Sequence, residues 1–297
     1  MLDERAKLTG KAAAIIGGGG GIGAAVTLAL AECGVDVAFC DIDAASLART
    51  EAQARAFGRN VLAVRADVMR EAELDEFYAR LGEAFPRLDI AVNVAGGTLR
   101  GPFMSKTRAD YAADIRRNYG YVLDSVHHAV TLMRRGKNGG SIVNFTTIEA
   151  HRGAATFAVY AGAKAATTNF TKAMAVELGG EGIRLNTVVP DTTNSQGNIN
   201  AIPAADAASM ANVPPAALAE GLKMYIPLKT QPGTDALANA VLFLVSDLAA
   251  SITGITLHVD GGTAAAAGFL DWPFGDGHLP VPFGGTLSRI YRVGDVD

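Results

Sequence analysis

Short apolar runs alternate along most of the chain with longer segments in which apolar and polar residues recur at helical spacing. The apolar runs are residues 12–16, 35–40, 61–65, 89–93, 141–145, 184–189 and 255–259. The helix candidates between them lie near residues 22–33, 44–57, 70–85, 108–135, 156–179 and 234–246. Near-continuous apolar strands separated by helices are typical of a parallel sheet covered on both faces. The pattern predicts an α/β fold, a single Rossmann-type doubly wound sheet of about seven strands with right-handed crossovers.

Two segments interrupt this alternation. Residues 191–230 are rich in Asn, Ala, Pro and Ser, and such a long connection in a compact domain is usually functional, so we expect a substrate-side lid there. The tail, residues 263–297, carries aromatic residues that are unlike a solvated disordered end, among them Phe269, Trp272, Phe274 and Phe283. We expect the tail to pack against another surface, either in its own chain or in a neighbouring subunit.

The length of 297 residues allows one large domain or two small ones. No break in the pattern forces a division, so we expect residues 1–297 to form a single dinucleotide-binding and catalytic domain. The net charge of −4, from 26 basic and 30 acidic residues, disfavours nucleic acid or an anionic membrane surface as partner and favours a small molecule.

Residues 1–10 are charged and lack an apolar stretch, and no later apolar run reaches the roughly 18 residues of a membrane span, so no targeting or spanning segment is expected. We expect a soluble, cytoplasmic protein. Cys33 and Cys40 lack metal-ligand or redox spacing, and the five histidines are scattered. No metal site is expected.

A glycine run, "IIGGGGGIGAA" at residues 15–25, follows the first predicted strand directly. It fits two phosphate-binding patterns, one on Gly18, Gly20 and Gly23 and the other on Gly17, Gly21 and Gly23. At such a strand-to-helix turn, free N–H groups and the helix dipole can hold a pyrophosphate. A flexible linker, or glycines that only let helix and strand pack closely, would give a similar composition.

An acidic residue, Asp41, ends the second predicted strand 18 residues after Gly23. A carboxylate there can accept hydrogen bonds from both adenosine ribose hydroxyls and would repel a 2′-phosphate. Neither the glycine loop nor the following Ile42 supplies a cation for that phosphate. This arrangement favours NAD over NADP, although Asp41 could also be an ordinary turn residue.

Tyr160 and Lys164 are four residues apart in the helix candidate 156–179, so they share one face. On an arbitrary helix such a pair would usually be solvated. Here Thr146 and Thr147 end the preceding strand, and Asn118 lies in the long helix before it.

With these residues the chain resembles the short-chain dehydrogenase/reductase family over roughly residues 8–262. The family's glycine pattern T-G-x-x-x-G-I-G corresponds to residues 16–23, which favours Gly17, Gly21 and Gly23. The cofactor contacts that the resemblance implies are Gly17, Gly20, Gly21, Ile22, Gly23, Asp41, Ile42, Asp67, Val68, Asn93, Ala95, Gly96, Tyr160, Lys164, Pro190, Thr193 and Ser195. The implied catalytic set is Asn118, Thr147, Tyr160 and Lys164.

Three positions depart from the family pattern. Ile16 replaces a threonine before the glycine loop, and Thr147 stands where serine is usual. Asp191 follows Pro190 where glycine is usual. The last departure affects the nicotinamide side of the site and the lid.

The resemblance implies hydride transfer between NAD and a secondary alcohol or ketone, with hydroxysteroids, 3-hydroxyacyl thioesters or cyclic alcohols as candidates, and the apolar lid favours a hydrophobic substrate. Tyr160 would exchange the proton, aided by the charges of Lys164 and the oxidised nicotinamide. Thr147 would hydrogen-bond the reacting oxygen, Lys164 would hold the nicotinamide ribose, and Asn118 would position a relay water. A nicotinamide-binding sensor without turnover is the alternative.

The resemblance also implies a homodimer or homotetramer, joined through helices 108–135 and 156–179. Further charged or polar residues could line the substrate cleft, although loop residues of this kind more often face solvent. They are Thr98, Arg100, Glu149, His151 and Arg152.

Overall fold

Each predicted strand is present in the computed structural model, which describes residues 2–98, 100–193, 213–272 and 277–280. The strands are β1 Ala12–Ile16, β2 Asp36–Asp41, β3 Val61–Arg65, β4 Ile90–Asn93, β5 Gly140–Phe145, β6 Ile183–Pro190 and β7 Thr256–Val259. All neighbours are parallel, in the order β3-β2-β1-β4-β5-β6-β7. The predicted doubly wound α/β sheet of seven strands is confirmed.

Ten α-helices occur in the described part of the chain, and most of them cover the two faces of this sheet. They are α1 Leu2–Ala6, α2 Gly21–Glu32, α3 Ala44–Arg55, α4 Glu71–Ala84, α5 Arg108–Ile115, α6 Tyr121–Gly136, α7 Ala158–Leu178, α8 Pro215–Tyr225, α9 Thr234–Val245 and α10 Thr263–Ala266. The single helix expected at 108–135 is interrupted, because a π-helical turn, Arg116–Gly120, separates α5 from α6. Such turns are frequent at functional sites.

The core lies in two layers, one on each face of the sheet. Strand β1 is buried along its whole length, and its side chains alternate between the layers. Ala14 and Ile16 pack with residues of α4 and α6, whereas Ala13 and Ile15 pack with residues of α2 and α9. Burial on both faces explains why the strands are almost continuously apolar.

The lid region contains a helix that the sequence pattern did not predict. Helix α8 begins at Pro215, a residue suited to a first helical turn because its missing N–H is not needed there. Lid residues 194–212 lie outside the described residues.

The described part of the tail forms a hairpin in its own chain. Strands β8 Phe269–Trp272 and β9 Gly277–Pro280 are antiparallel. Strand β8 contacts α8, and Asp271 forms an ion pair with Lys229 beyond that helix. This part of the tail therefore lies against the lid. The aromatic residues Phe274 and Phe283 are outside the described residues.

Candidate active site

The glycine loop joins β1 to α2 at the carboxyl edge of the sheet. Gly17 has φ +84°, and a Cβ there would lie 2.8 Å from the main-chain nitrogen of Ala95. A Cβ at Gly23 would lie 1.8 Å from the Gly17 carbonyl oxygen. At Gly20 it would meet nothing closer than 3.8 Å, where Ser46 lies. The loop therefore requires glycine at Gly17 and Gly23, while Gly20 is the N-cap of α2, which begins with Gly21 and Ile22.

Asp41 ends β2 beside this loop. Its Oδ2 accepts a hydrogen bond from the Gly19 N–H at 3.0 Å, and Oδ1 accepts one from the Asp43 N–H at 3.1 Å. These bonds fix the carboxylate at the edge of the glycine loop. The next side chain, Ile42, is 54% exposed, so it can lie against a ligand there.

A cation that the sequence pattern did not indicate lies near the same edge. Arg49, in α3, donates a hydrogen bond to the Ser46 hydroxyl at 3.0 Å. Ser46 in turn lies next to Gly20. The arginine is one helical turn into α3, so neither the loop nor the residue after Asp41 reveals it.

Asp67 and Val68 follow β3. The Asp67 Oδ1 accepts a hydrogen bond from the Met69 N–H at 2.9 Å, and its own N–H donates to Glu73 Oε2 at 2.8 Å. Val68 is half-buried against the core. Together they form a fixed turn on the adenine side of the predicted site.

The segment after β4 begins with a buried side chain. Asn93 donates from Nδ2 to Asn144 Oδ1 at 2.8 Å and accepts from the Ser125 hydroxyl at 2.5 Å. Its side chain thus joins β4 to β5 and α6 inside the core. Ala95 accepts a hydrogen bond from the Tyr121 hydroxyl at 2.5 Å through its carbonyl oxygen, which holds the loop over the sheet.

Asn118 lies in the π-helical turn and is fully buried. Its Oδ1 accepts from the Gly97 N–H at 3.0 Å, and Nδ2 donates to the carbonyl oxygens of Gly97 at 3.0 Å and Asp114 at 2.9 Å. A Cβ at Gly96 would lie 2.9 Å from both Asn118 Oδ1 and Lys164 Nζ. The absence of a side chain at Gly96 lets these groups converge.

Lys164 is 3% exposed, and its Nζ donates to the Phe145 carbonyl oxygen at 3.0 Å. Burial lowers its pKa from 10.5 to about 8. The pKa of Tyr160 is raised from 10.0 to about 12, mainly by burial, and the Thr147 hydrogen bond opposes this while Glu149 adds to it. In the protein alone, burial therefore outweighs the lowering of the Tyr160 pKa that Lys164 was expected to produce.

A hydrogen-bonded network runs from Thr147 to the lid. The Thr147 hydroxyl donates to the Glu149 carboxylate, and Arg152 donates to the other Glu149 oxygen at 2.9 Å. Arg152 also donates to the Tyr225 hydroxyl at 2.8 Å, and Tyr225 donates to Asp191 Oδ2 at 2.5 Å. Tyr225 ends α8, so these five residues, the Thr147–Asp191 network, connect β5, β6 and the lid helix.

Pro190 is the last residue of β6 and directly precedes Asp191 in the chain. The Thr193 hydroxyl donates to the Asp191 carbonyl oxygen at 2.7 Å. Ser195 lies outside the described residues. The His151 ring is 5.1 Å from that of His258, and burial lowers its pKa.

The remaining cleft candidates have partners inside the protein. Thr98 donates to the buried carboxylate of Asp114 at 3.0 Å, and Arg100 lies over the Phe157 ring at 5.0 Å. Among the described residues, no three or more His, Cys, Asp or Glu side chains are grouped to hold a metal ion. No described helix is long and apolar enough to cross a bilayer.

The glycine loop, the acid that ends β2 and the Tyr-x-x-x-Lys pair define a dinucleotide-binding oxidoreductase. A family profile described as "Enoyl-(Acyl carrier protein) reductase" matches residues 17–264. The chain belongs to the short-chain dehydrogenase/reductase family, whose members bind a nicotinamide cofactor, and it is an oxidoreductase that acts on CH–OH donors.

Several proteins that are similar to this chain are named as dehydrogenases. A 2,3-dihydro-2,3-dihydroxybenzoate dehydrogenase of Bacillus subtilis is 35% identical over 86% of this chain and 96% of its own. A 2,5-dichloro-2,5-cyclohexadiene-1,4-diol dehydrogenase of Sphingobium indicum is 32% identical over 86% and 97%. The crystal structure of carveol dehydrogenase from Mycobacterium avium with NAD has a TM-score of 0.80 at 27% identity, over 86% and 98%.

Proposed function

We propose that the protein is an NAD-dependent dehydrogenase that transfers a hydride between the nicotinamide and a secondary alcohol or ketone. The observation that supports this proposal most directly is that Thr147, Tyr160 and Lys164 converge at the end of β5. Asn118 meets Lys164 there at Gly96, beside the glycine loop. A hydroxyl, an exchangeable proton and a buried cation at one point are the groups that carbonyl and alcohol interconversion requires.

The residues present fit such a cofactor. Gly17 and Gly23 let the loop pack closely against Ala95 and against itself, and Gly20, the N-cap of α2, has no atom closer than 3.8 Å to a Cβ position. A pyrophosphate can therefore reach the free N–H groups at the N-terminus of α2. The Lys164 ammonium group donates to the Phe145 carbonyl oxygen. An ammonium group carries three donors, so ribose hydroxyls can accept from the others. When bound, the nicotinamide supplies the acceptor or donor of the hydride.

Tyr160 exchanges the proton of the reacting hydroxyl in this proposal, and Thr147 hydrogen-bonds the same oxygen. The charge of Lys164 favours the deprotonated form of Tyr160. Both Nδ2 hydrogens of Asn118 are already donated within the protein. We therefore give Asn118 a positioning role on the Gly97 loop, and a relay water would bond to its remaining acceptor capacity.

NAD is favoured over NADP because the Asp41 carboxylate, held on Gly19, would repel a 2′-phosphate. Arg49 lies close enough to the same edge to oppose this preference. Titration of the purified protein with each cofactor tests the choice. We expect at least about tenfold tighter binding of NAD, reduced in Asp41→Ala, whereas in Arg49→Gln NADP binding weakens further. Equal affinities in the unmodified protein would contradict the proposal.

Secondary alcohols on a ring are the first substrates to test, because two relatives are named for a dihydroxy compound and a cyclohexadiene diol. Hydroxysteroids and 3-hydroxyacyl thioesters complete the panel. Turnover is followed by absorbance of the reduced cofactor. Tight NAD binding without turnover of any class would favour the nicotinamide-binding sensor, and failure to bind either cofactor would overturn both functions.

The functional form is a homodimer or homotetramer joined through α6 and α7. An apolar groove between these helices supports this, lined by Val126, Val130, Phe170 and Met174 among others, and Val176 nearby in α7 is 85% exposed. A monomer by light scattering at assay concentration would contradict it. Cys33 and Cys40 are free thiols, which fits the proposed cytoplasmic location.

A further inference from the structure

The Glu149 carboxylate lies one hydrogen bond from the reacting position. Its side chain is 15% exposed, and it accepts from the Thr147 hydroxyl through one oxygen and from Arg152 through the other. Thr147 and Glu149 both act on the pKa of the buried Tyr160 hydroxyl, Thr147 lowering it and Glu149 raising it, so Tyr160 lies beside this pair. Glu149 therefore borders the place where the reacting oxygen would bind between Thr147 and Tyr160.

This contact determines what Thr147 can offer to a substrate. A threonine hydroxyl carries a single hydrogen, and here that hydrogen is donated to Glu149. The hydroxyl can then accept a hydrogen bond from the reacting oxygen but cannot donate one to it. Thr147 can help Tyr160 to stabilise the negative charge that develops on that oxygen only as a donor, so the Thr147–Glu149 bond must open for Thr147 to contribute.

We propose that Glu149 determines specificity for vicinal diols by accepting a hydrogen bond from a second hydroxyl, on the carbon next to the reacting one. That hydroxyl replaces Thr147 as the donor to Glu149, and Thr147 then turns its hydrogen to the reacting oxygen. The number of hydrogen bonds to the carboxylate is conserved. The inference rests on the proposed dehydrogenase function and narrows its substrate class.

The charges around Glu149 favour a neutral hydroxyl over an ion. Asp191, a second carboxylate with an 8% exposed side chain, lies 3.8 Å from the Arg152 guanidinium, so an anionic substrate group would face two carboxylates and one cation that is already paired. An ammonium group would approach Arg152, which is 2.9 Å from Glu149. A hydroxyl avoids both repulsions and needs only an acceptor.

The test compares cis- and trans-cyclohexane-1,2-diol with cyclohexanol in the unmodified protein, Glu149→Gln and Glu149→Ala. Glu51→Gln is the matched control, because it breaks a similar pair, with Arg55, on the outer helix α3. We expect kcat/KM to favour one diol by about tenfold or more, as for a hydrogen bond to a charged group. In Glu149→Ala the ratio of the diol kcat/KM to the cyclohexanol kcat/KM should fall by about tenfold, because the carboxylate that accepts from the second hydroxyl is gone.

Other outcomes overturn the inference. An equal loss for diol and cyclohexanol in Glu149→Ala would assign Glu149 a structural role only, and equal kcat/KM in the unmodified protein would remove the diol preference. A stronger preference for 2-aminocyclohexanol would identify a cation site instead. Absence of turnover for every alcohol would reject the dehydrogenase function. In that case the Kd values of diol and cyclohexanol, measured by calorimetry with cofactor-saturated protein, test the role of Glu149 independently of turnover. Equal Kd values would reject that role.

Discussion

The ammonium nitrogen of Lys164 lies 3.0 Å from the carbonyl oxygen of Phe145, in a position where the side chain is 3% exposed. One neutral acceptor does not replace the water that the charge has lost, so the pKa falls to about 8. We expect Lys164→Met to abolish most turnover and yet raise the free energy of unfolding at pH 7 by about 2 kcal/mol. The pKa shift corresponds to about 3 kcal/mol, less about 1 for the lost hydrogen bond.

The pH dependence distinguishes this cause from better packing. Between pH 8 and 10.5 the unfolded chain binds more protons at Lys164 than the folded protein does, so the stability of the unmodified protein rises with pH. The difference from Lys164→Met should shrink from pH 7 and nearly vanish by about pH 9.5. Lys172→Met, on the exposed face of the same helix, should show no such trend in denaturant titrations of the cofactor-free protein. A pH-independent difference would contradict the assignment.

Removal of the Tyr160 hydroxyl should affect chemistry and spare binding. We expect Tyr160→Phe to lower kcat by about 10² to 10⁴, the usual contribution of a positioned proton donor, with the Kd for NAD changed less than about threefold. Tyr111→Phe is the control, because that hydroxyl bonds the carbonyl oxygen of Lys106. Near-normal turnover in Tyr160→Phe would show that another group moves the proton.

The glycine loop offers a matched pair of substitutions. Gly23→Ala puts a methyl group 1.8 Å from the Gly17 carbonyl oxygen, so we expect a loss of at least about 2 kcal/mol in stability and loss of NAD binding. At Gly20 the nearest atom is 3.8 Å away and φ is −141°. Gly20→Ala should therefore change the free energy of unfolding by no more than about 0.5 kcal/mol. Similar effects of the two substitutions in cofactor-free protein would contradict the loop geometry.

The Tyr225 hydroxyl connects the lid helix α8 to the end of β6. Tyr225 donates to Asp191 and accepts from Arg152, and burial helps raise its pKa to about 12. We expect Tyr225→Phe to raise amide hydrogen exchange in α8 by about tenfold, because the free energy needed to open the helix locally falls by about 1–2 kcal/mol. Lys223→Met, which removes an exposed pair with Glu220, should leave that exchange unchanged. Unaltered exchange in both variants would show that other contacts hold the helix.

The sheet was predictable because burial on both faces makes each strand an apolar run, and strands β1 and β3 match their predicted bounds. Tyr160 and Lys164 could be proposed as site residues for a local reason, their spacing of four on one helix. Glu149 and Arg152 gave no comparable signal, since the residue that orders Arg152 is Tyr225, 73 positions away. Contacts between loops depend on tertiary structure, so the spacing of residues along the sequence does not predict them.

The π-helical turn at Arg116–Gly120 limits which insertions and deletions the chain can tolerate. Deleting one residue there would restore a regular α-helix, but it would rotate α5 against α6 by about 100°. Asn118 could then no longer reach both main-chain groups of Gly97 while its own carbonyl accepts from Thr167. The lid can vary in length without this penalty, so we expect length differences among related chains to gather in the lid and to be excluded from this helix.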